Sequence, residues 1–148
     1  MRSITITLAI GAATLLVQAF GKSDTDPCTF FAKSEIESAF GLPFGPPKLG
    51  SNKIASPICM FSNPNTGTIG IRAGEAKTRA QFDSLRTAIG EHAEPVSGVG
   101  QTAFFWGSRL YVLNNGRELV VSMSGELTPQ WRAALIKLGK LGAPRLRP

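Results

Sequence analysis

The dipeptide Asn115-Gly116 constrains the fold of this chain more than any other feature of its sequence. It separates two short apolar runs, and both residues tolerate the positive φ angles that a two-residue type I′ hairpin turn requires. The sequence therefore predicts an antiparallel hairpin at this point. With this turn, Val112 faces Leu119 and Leu110 faces Val121.

A second tight turn, at Gly107-Ser108, predicts a third strand in the same sheet. This strand covers Ala103–Trp106, so Phe105 lies opposite Leu110 and Ala103 lies opposite Val112. Because side chains alternate between the two faces of a strand, one face of the three strands collects only apolar side chains. These are Ala103, Phe105, Leu110, Val112, Leu119, Val121 and Met123.

Three helices are predicted from their capping residues. A Ser or Thr N-cap, followed by Glu or Gln at the third helical position or by Pro at the first, is typical of a helix start, and Gly is typical of a helix end. Apolar residues at helical spacing within each segment favour packing against a sheet over contact with a cofactor. The predicted helices extend from Ser34 to Gly41, from Thr78 to Gly90 and from Thr128 to Gly139.

Two further strands, over residues 58–62 and 68–73, flank a turn-rich loop. The element order is α-β-β-α-β-β-β-α, and tight turns between consecutive strands make the sheet antiparallel. The prediction is an α+β fold in which about five strands pack against two to three helices. The segment 41–57, rich in Pro and Gly, is expected to be a surface connector, and residues 145–148 are expected to be a frayed tail.

The first nineteen residues have the layout of a secretory signal peptide. Arg2 provides the positive start, residues 4–17 are uncharged and mostly apolar, and Val17-Gln18-Ala19 ends in a small residue suited to cleavage. Cleavage after Ala19 leaves residues 20–148 as one exported domain, periplasmic or secreted. The alternative is an uncleaved membrane anchor, because the uncharged run over residues 3–21 is close to the lower limit of about 17 residues for a membrane span.

The chain contains two cysteines, Cys28 and Cys59. In an oxidising compartment, such a pair indicates first a disulfide. A redox pair and a metal site are the alternatives, but the spacing is not C-x-x-C and His92 is the only histidine. We therefore expect a structural disulfide and no metal site.

The positive charge of the chain is concentrated in its C-terminal part. The formal net charge is +6, and residues 105–148 carry seven Lys and Arg against two Glu. A surface of one sign attracts anionic partners, which for an exported protein include phospholipid headgroups, anionic glycans and acidic proteins. A solvated basic surface without a partner is the alternative. Nucleic acid is not expected, because no aromatic-basic motif is present, and any membrane contact is expected to be peripheral.

No motif in the sequence indicates catalysis or a cofactor. Residues 98–103 match the loose dinucleotide-binding pattern G-x-G-x-x-A, but a β-like segment follows where that pattern needs a helix. His92 is the only candidate general base, and no nucleophile elbow accompanies it. We expect a protein that is not an enzyme and has no cofactor. A hydrolase would need a cleft that joins His92 to a carboxylate.

Three aromatic residues share the sheet face opposite the apolar one. They are Phe104, Trp106 and Tyr111, and Arg109 and Arg117 are close to them along the predicted hairpins. If this face is open, the five residues form a candidate binding surface, because Trp, Tyr and Arg dominate the energetics of interfaces. The alternative is that another helix covers the face.

Several short motifs follow one another in a recognisable order. Asp26-Pro27-Cys28 comes after the apparent signal peptide, a helix ending in Ala39-Phe40-Gly41 follows, and Cys59-Met60-Phe61 and residues 95–103 come later. In this order they resemble a large family of secreted bacterial lipoproteins, abundant in actinobacteria and catalogued as a domain of unknown function. The resemblance implies an extracytoplasmic location and a Cys28–Cys59 disulfide, and it assigns no catalytic residue. The chain departs from the family in lacking a lipobox cysteine, so lipid anchoring is not expected.

The leading functional hypothesis is a non-catalytic binding or accessory protein of the cell envelope. It would bind another protein or an anionic envelope component through the aromatic face, with basic residues steering the partner. The alternative is a secreted inhibitor or immunity protein that blocks a partner enzyme.

Overall fold

The computed structural model describes residues 26–50 and 56–148; the signal peptide predicted over residues 1–19 and its cleavage site lie outside them. The described residues form four α-helices, seven β-strands and two 3₁₀ helices. The α-helices are α1 (Pro27–Phe30), α2 (Lys33–Phe40), α3 (Arg79–Ile89) and α4 (Pro129–Gly142). The strands are β1 (Lys48–Gly50), β2 (Ile58–Asn63), β3 (Gly67–Ala76), β4 (Ala93–Val96), β5 (Thr102–Trp106), β6 (Arg109–Asn114) and β7 (Arg117–Met123). The 3₁₀ helices, Gly90–His92 and Ala143–Arg145, directly follow α3 and α4.

All seven strands belong to one antiparallel sheet with the order β1-β2-β3-β7-β6-β5-β4. The hairpin predicted at Asn115-Gly116 is confirmed, with Val112 opposite Leu119 and Leu110 opposite Val121. Both turn residues have positive φ, 50° for Asn115 and 69° for Gly116. The α+β class and the antiparallel arrangement therefore agree with the prediction.

The strand preceding this hairpin also has the predicted register. Phe105 lies opposite Leu110, and Ala103 lies opposite Val112. Gly107, in the turn that joins β5 to β6, has a φ of 55°. The position of β5 in the sheet therefore follows from the second turn signal.

The sheet has seven strands rather than about five, because both of its edges carry a short strand. β1 lies within the segment 41–57, which was expected to be only a connector, and pairs with β2. β4 contains Pro95, whose missing N–H is tolerated at an edge where one side of the strand has no partner. Neither strand has the run of β-branched or aromatic residues that would indicate it from sequence.

Helices pack on both faces of the sheet. On one face, side chains of α1, α2 and α4 join all seven residues of the predicted apolar face in a single core cluster. On the other face, α3 places the fully buried Phe82 against Phe104, Tyr111, Leu113 and Val120. The molecule therefore has three layers, with the sheet in the middle.

Two of the three predicted helix starts are confirmed. The Thr78 hydroxyl accepts a hydrogen bond from the Gln81 backbone N–H at 3.2 Å, and the Gln81 side chain accepts one from the Thr78 N–H at 2.9 Å. Thr128 accepts a hydrogen bond from the Trp131 N–H at 3.3 Å. These are the contacts that satisfy the first free N–H groups of a helix.

The predicted start of α2 at Ser34 was wrong. The N-cap residue is Ala32, whose N–H donates to Glu35 Oε2 at 2.9 Å. Glu35 is thus at the third helical position, and the helix begins two residues earlier than predicted. Its end at Gly41 is confirmed, with a φ of 69°.

The predicted end of α4 at Gly139 was also wrong, because the helix continues to Gly142. A Cβ atom at Gly139 would lie 2.8 Å from Leu110 Cδ2, and one at Gly142 would lie 2.6 Å from Leu119 Cδ2. The absence of a side chain at these two positions therefore allows α4 to approach the sheet closely, and Gly139 does not end the helix.

Residues 145–148 are not a frayed tail. Leu146 is buried, and its carbonyl oxygen accepts a hydrogen bond from Asn115 Nδ2 at 2.9 Å. Arg145 donates to the Phe30 carbonyl oxygen at 2.8 Å. The C-terminal segment is thereby fastened to the β6–β7 turn and to α1.

The predicted disulfide between Cys28 and Cys59 is present, with the two Cα atoms 4.9 Å apart. It joins α1 to β2, and Cys59 is fully buried. None of the helices in the described ranges has both the length and the hydrophobicity needed to span a bilayer.

Candidate functional site

The aromatic face proposed from the sequence is partly covered by α3. Phe104 is fully buried and Tyr111 is 5% exposed. The Phe82 ring of α3 lies 5.1 Å from that of Phe104, which in turn stacks on Tyr111 at 5.0 Å. Phe104 and Tyr111 are therefore core residues, and their assignment to an open binding surface is corrected, because α3 occupies that part of the face.

Trp106 and Arg109 remain accessible beside this covered region. Trp106 is 42% exposed, which is unusual for so large an apolar side chain. The two residues are cross-strand partners in β5 and β6, and the Arg109 guanidinium carbon lies 6.0 Å from the Trp106 ring centroid. This distance is at the outer limit of a cation–π contact.

The same face continues from Arg109 across the central strands to the opposite edge of the sheet. Residues that lie directly opposite one another on neighbouring strands form a row from Arg109 through Ser122, Gly70 and Met60 to Lys48 in β1. Lys48 is exposed, and Met60 and Ser122 are half-buried. This row has small or flexible side chains at its centre, in contrast to the large buried rings beneath α3.

Basic residues dominate this accessible part of the face. Arg72 faces Val120 across the sheet and so shares the face with Arg109. Within the described residues, Lys48, Arg72 and Arg109 take part in no ion pair. Glu75, further along the same strand as Arg72, accepts a hydrogen bond from the Ser56 hydroxyl at 3.0 Å. We call Lys48, Arg72, Trp106 and Arg109 the basic aromatic surface.

Arg117 does not belong to this surface. It pairs with Asn114 at the start of β7, and its Nη1 donates to the Gly74 carbonyl oxygen at 3.0 Å. Alternation along β7 places it with Leu119 and Val121, on the face that packs against α4. Its assignment beside the aromatic residues is therefore corrected.

Lys48 and Arg72 are members of the basic aromatic surface that sequence reasoning missed. The face of Arg72 follows from a period of two along β3, since Ile69, Ile71 and Ala73 point into the core. No comparable signal existed for Lys48, because β1 is three residues long and has no alternating pattern.

The residues considered for catalysis and cofactor binding are not assembled into a site in the described part of the chain. His92 is exposed in a 3₁₀ helix, and no hydrogen bond or ion pair joins its ring to a described carboxylate. The glycine pattern at 98–103 connects β4 to β5, which are antiparallel, so it lacks the parallel βαβ unit that holds a dinucleotide. Over the described ranges, no group of three or more His, Cys, Asp or Glu is placed to hold a metal ion.

Comparisons of the chain with protein-family models, with curated proteins and with solved structures found no match.

Proposed function

We propose that this chain is an exported, non-catalytic binding or accessory protein of the cell envelope, whose basic aromatic surface binds an acidic protein or another anionic envelope component. The observation that carries the proposal is the exposed pair of Trp106 and Arg109 on a face where α3 covers the other aromatic residues. Trp and Arg are the side chains most often found at binding hot spots.

The charges around this pair support an anionic partner. Lys48, Arg72 and Arg109 lie on one face without acidic partners among the described residues. Because their fields add, they would raise the association rate of an anionic partner, and salt would reduce this effect. Trp106 would then contribute contact area that holds the complex together.

The export of the protein is supported by its sequence. The first nineteen residues have the pattern of a signal peptide, and the Cys28–Cys59 disulfide is of the kind that persists in oxidising compartments. An exported protein meets envelope proteins, glycans and lipid headgroups, all of which include anionic members.

The test is capture of partners from an envelope extract by wild-type protein and by the charge-reversal variant Arg109→Glu. The matched control is Lys140→Glu, which reverses an exposed cation on α4, on the opposite face of the sheet. We expect Arg109→Glu to lose the captured partner at low salt and Lys140→Glu to retain it. Trp106→Ala should shorten the lifetime of the complex more than it slows association.

Equal capture by all variants would contradict the proposal. Recovery of a single enzyme in a tight one-to-one complex would favour the alternative function, a secreted inhibitor or immunity protein acting through the same surface.

A further inference from the structure

A cleft of about 210 Å³ opens on the α4 side of the sheet, away from the basic aromatic surface. It lies between the irregular pairing of β3 at Gly74, the start of β7 and the C-terminal segment. The residues that line it are Phe30, Gly74, Arg117, Arg145, Leu146, Arg147 and Pro148.

Two of the three arginines are held in place by the fold. Arg117 donates through Nη1 to the Gly74 carbonyl oxygen at 3.0 Å, which leaves its other N–H groups free of partners among the described residues. Arg145 donates to the Phe30 carbonyl oxygen at 2.8 Å and to Glu35 Oε2 at 2.9 Å, and its guanidinium lies over the Phe31 ring. A fixed guanidinium loses less entropy on binding a ligand than a free side chain does.

Only one of the three arginines of the cleft has a carboxylate partner among the described residues. Arg145 is neutralised by Glu35, since the Arg145 hydrogen bonds hold the pKa of Glu35 below its usual value and keep the carboxylate ionised. Arg117 and Arg147 have no carboxylate partner among the described residues. The cleft therefore presents two guanidinium groups that form no ion pair with a described residue.

We propose that this cleft binds a phosphate group, held by the guanidinium groups of Arg117 and Arg147. A phosphate monoester or inorganic phosphate carries a charge of about −1.5 to −2 near neutral pH, opposite in sign to both guanidinium groups. The planar fork of Arg suits phosphate oxygens, and Phe30 offers an apolar wall for a substituent on the phosphate. The cleft is larger than the phosphate group alone, so a phosphate ester fits as well as the free ion.

The test is titration of the full exported protein with inorganic phosphate, followed by isothermal calorimetry at low salt. We expect saturable binding that Arg147→Gln weakens at least tenfold, the loss typical of one charge-assisted hydrogen bond. Arg147 is exposed and makes no hydrogen bond or ion pair with a described residue, so this variant should fold normally. Arg117→Lys, which keeps the charge and loses the fork, should also weaken binding.

Arg109→Gln is the matched control, because it removes the same charge from the opposite face of the sheet. Phosphate binding that falls equally in Arg109→Gln and Arg147→Gln would overturn the proposal in favour of a general charge effect. The absence of saturable binding to both free phosphate and vesicles would overturn it as well.

A vesicle co-sedimentation experiment distinguishes a lipid headgroup from a soluble phosphate as the source of the ligand. Vesicles of phosphatidylglycerol are compared with vesicles of phosphatidylcholine for co-sedimentation of wild type and Arg147→Gln. Sedimentation with phosphatidylglycerol that is lost in Arg147→Gln supports a lipid source, and phosphate binding without sedimentation supports a soluble one. Capture of an envelope partner by the basic aromatic surface should not change in Arg147→Gln, so the two proposals fail separately.

Discussion

Replacement of Phe82 by Ala tests whether a single side chain holds α3 on the sheet. Phe82 is the only fully buried residue of this eleven-residue helix, and Leu85 and Ile89 are only partly buried. Isolated helices of this length are marginal in water, so the position of α3 depends on its packing. Loss of the ring should therefore loosen the whole helix and expose Phe104 beneath it.

The expected cost follows from the contacts of Phe82. Truncation of a buried Phe to Ala typically destabilises a protein by about 3–5 kcal/mol, and contact with a second ring accounts for about 0.5–1.5 kcal/mol of this. The Phe82 side chain has no exposed surface, and its ring lies 5.1 Å from that of Phe104. Because α3 lies in an outer layer, where water can reach the space that the ring leaves, we expect the lower end of this range, about 3 kcal/mol.

Equilibrium unfolding in urea measures this loss, and hydrogen exchange over Arg79–Ile89 shows whether it is local to α3. Leu85→Ala is the control, because the same helix loses a half-buried side chain, and about 1 kcal/mol is expected. A loss of less than about 1 kcal/mol in Phe82→Ala, with unchanged exchange in α3, would refute the reasoning.

Three further predictions concern the disulfide, the Glu35–Arg145 pair and the glycines of α4. The Cys28–Cys59 bond closes a loop with a sequence separation of 31, so its reduction should lower the free energy of unfolding by about 3–4 kcal/mol. Urea unfolding with and without reductant measures this difference, and equal free energies would contradict the prediction. The hydrogen bond from Arg145 lowers the pKa of Glu35 in the folded protein below its value near 4.5 in the unfolded chain. The ionised pair therefore stabilises the fold fully above pH 4.5, and this stabilisation is lost as the pH falls through the folded-state pKa of Glu35. Urea midpoints between about pH 3 and 6 should therefore fall less steeply in Glu35→Gln than in wild type. Gly142→Ala should destabilise the protein by about 1–2 kcal/mol, because the added methyl group crowds Leu119 and Phe31 by more than the gain in helix propensity offsets. A thermal unfolding midpoint at or above that of wild type would contradict this prediction.

Sequence reasoning succeeded where local signals determine structure. The turn at Asn115-Gly116 fixes the register of β6 and β7, and a period of two then identifies the apolar side chains of these two strands that face α4. The cap at Thr78 is equally local, because its hydrogen bonds stay within one helical turn.

The sequence-based predictions were wrong where contacts with distant parts of the chain determine the local structure. The start of α2 depends on Glu35, which Arg145 holds from 110 positions away, and β1 and β4 exist because neighbouring strands pair with them. Arg117 was a different error: counting back from Leu119 by two already places it on the α4 face.

The widths of the layers explain why the face that carries the basic aromatic surface is accessible at β1 to β3, whereas Trp106 and Arg109 are exposed where β5 ends and β6 begins. Seven strands spaced about 4.8 Å apart make a sheet about 29 Å wide, whereas one helix with its side chains is about 10 Å wide. α1, α2 and α4 share one face, but α3 packs only on residues of β4 to β7 in its own cluster. The sequence matches this difference, since large rings lie under α3 and Gly70, Ser122 and basic side chains occupy the rest of that face. A sheet of this width with a single helix on one side must leave part of that side accessible, and Trp106 stands at the boundary between the covered and accessible parts.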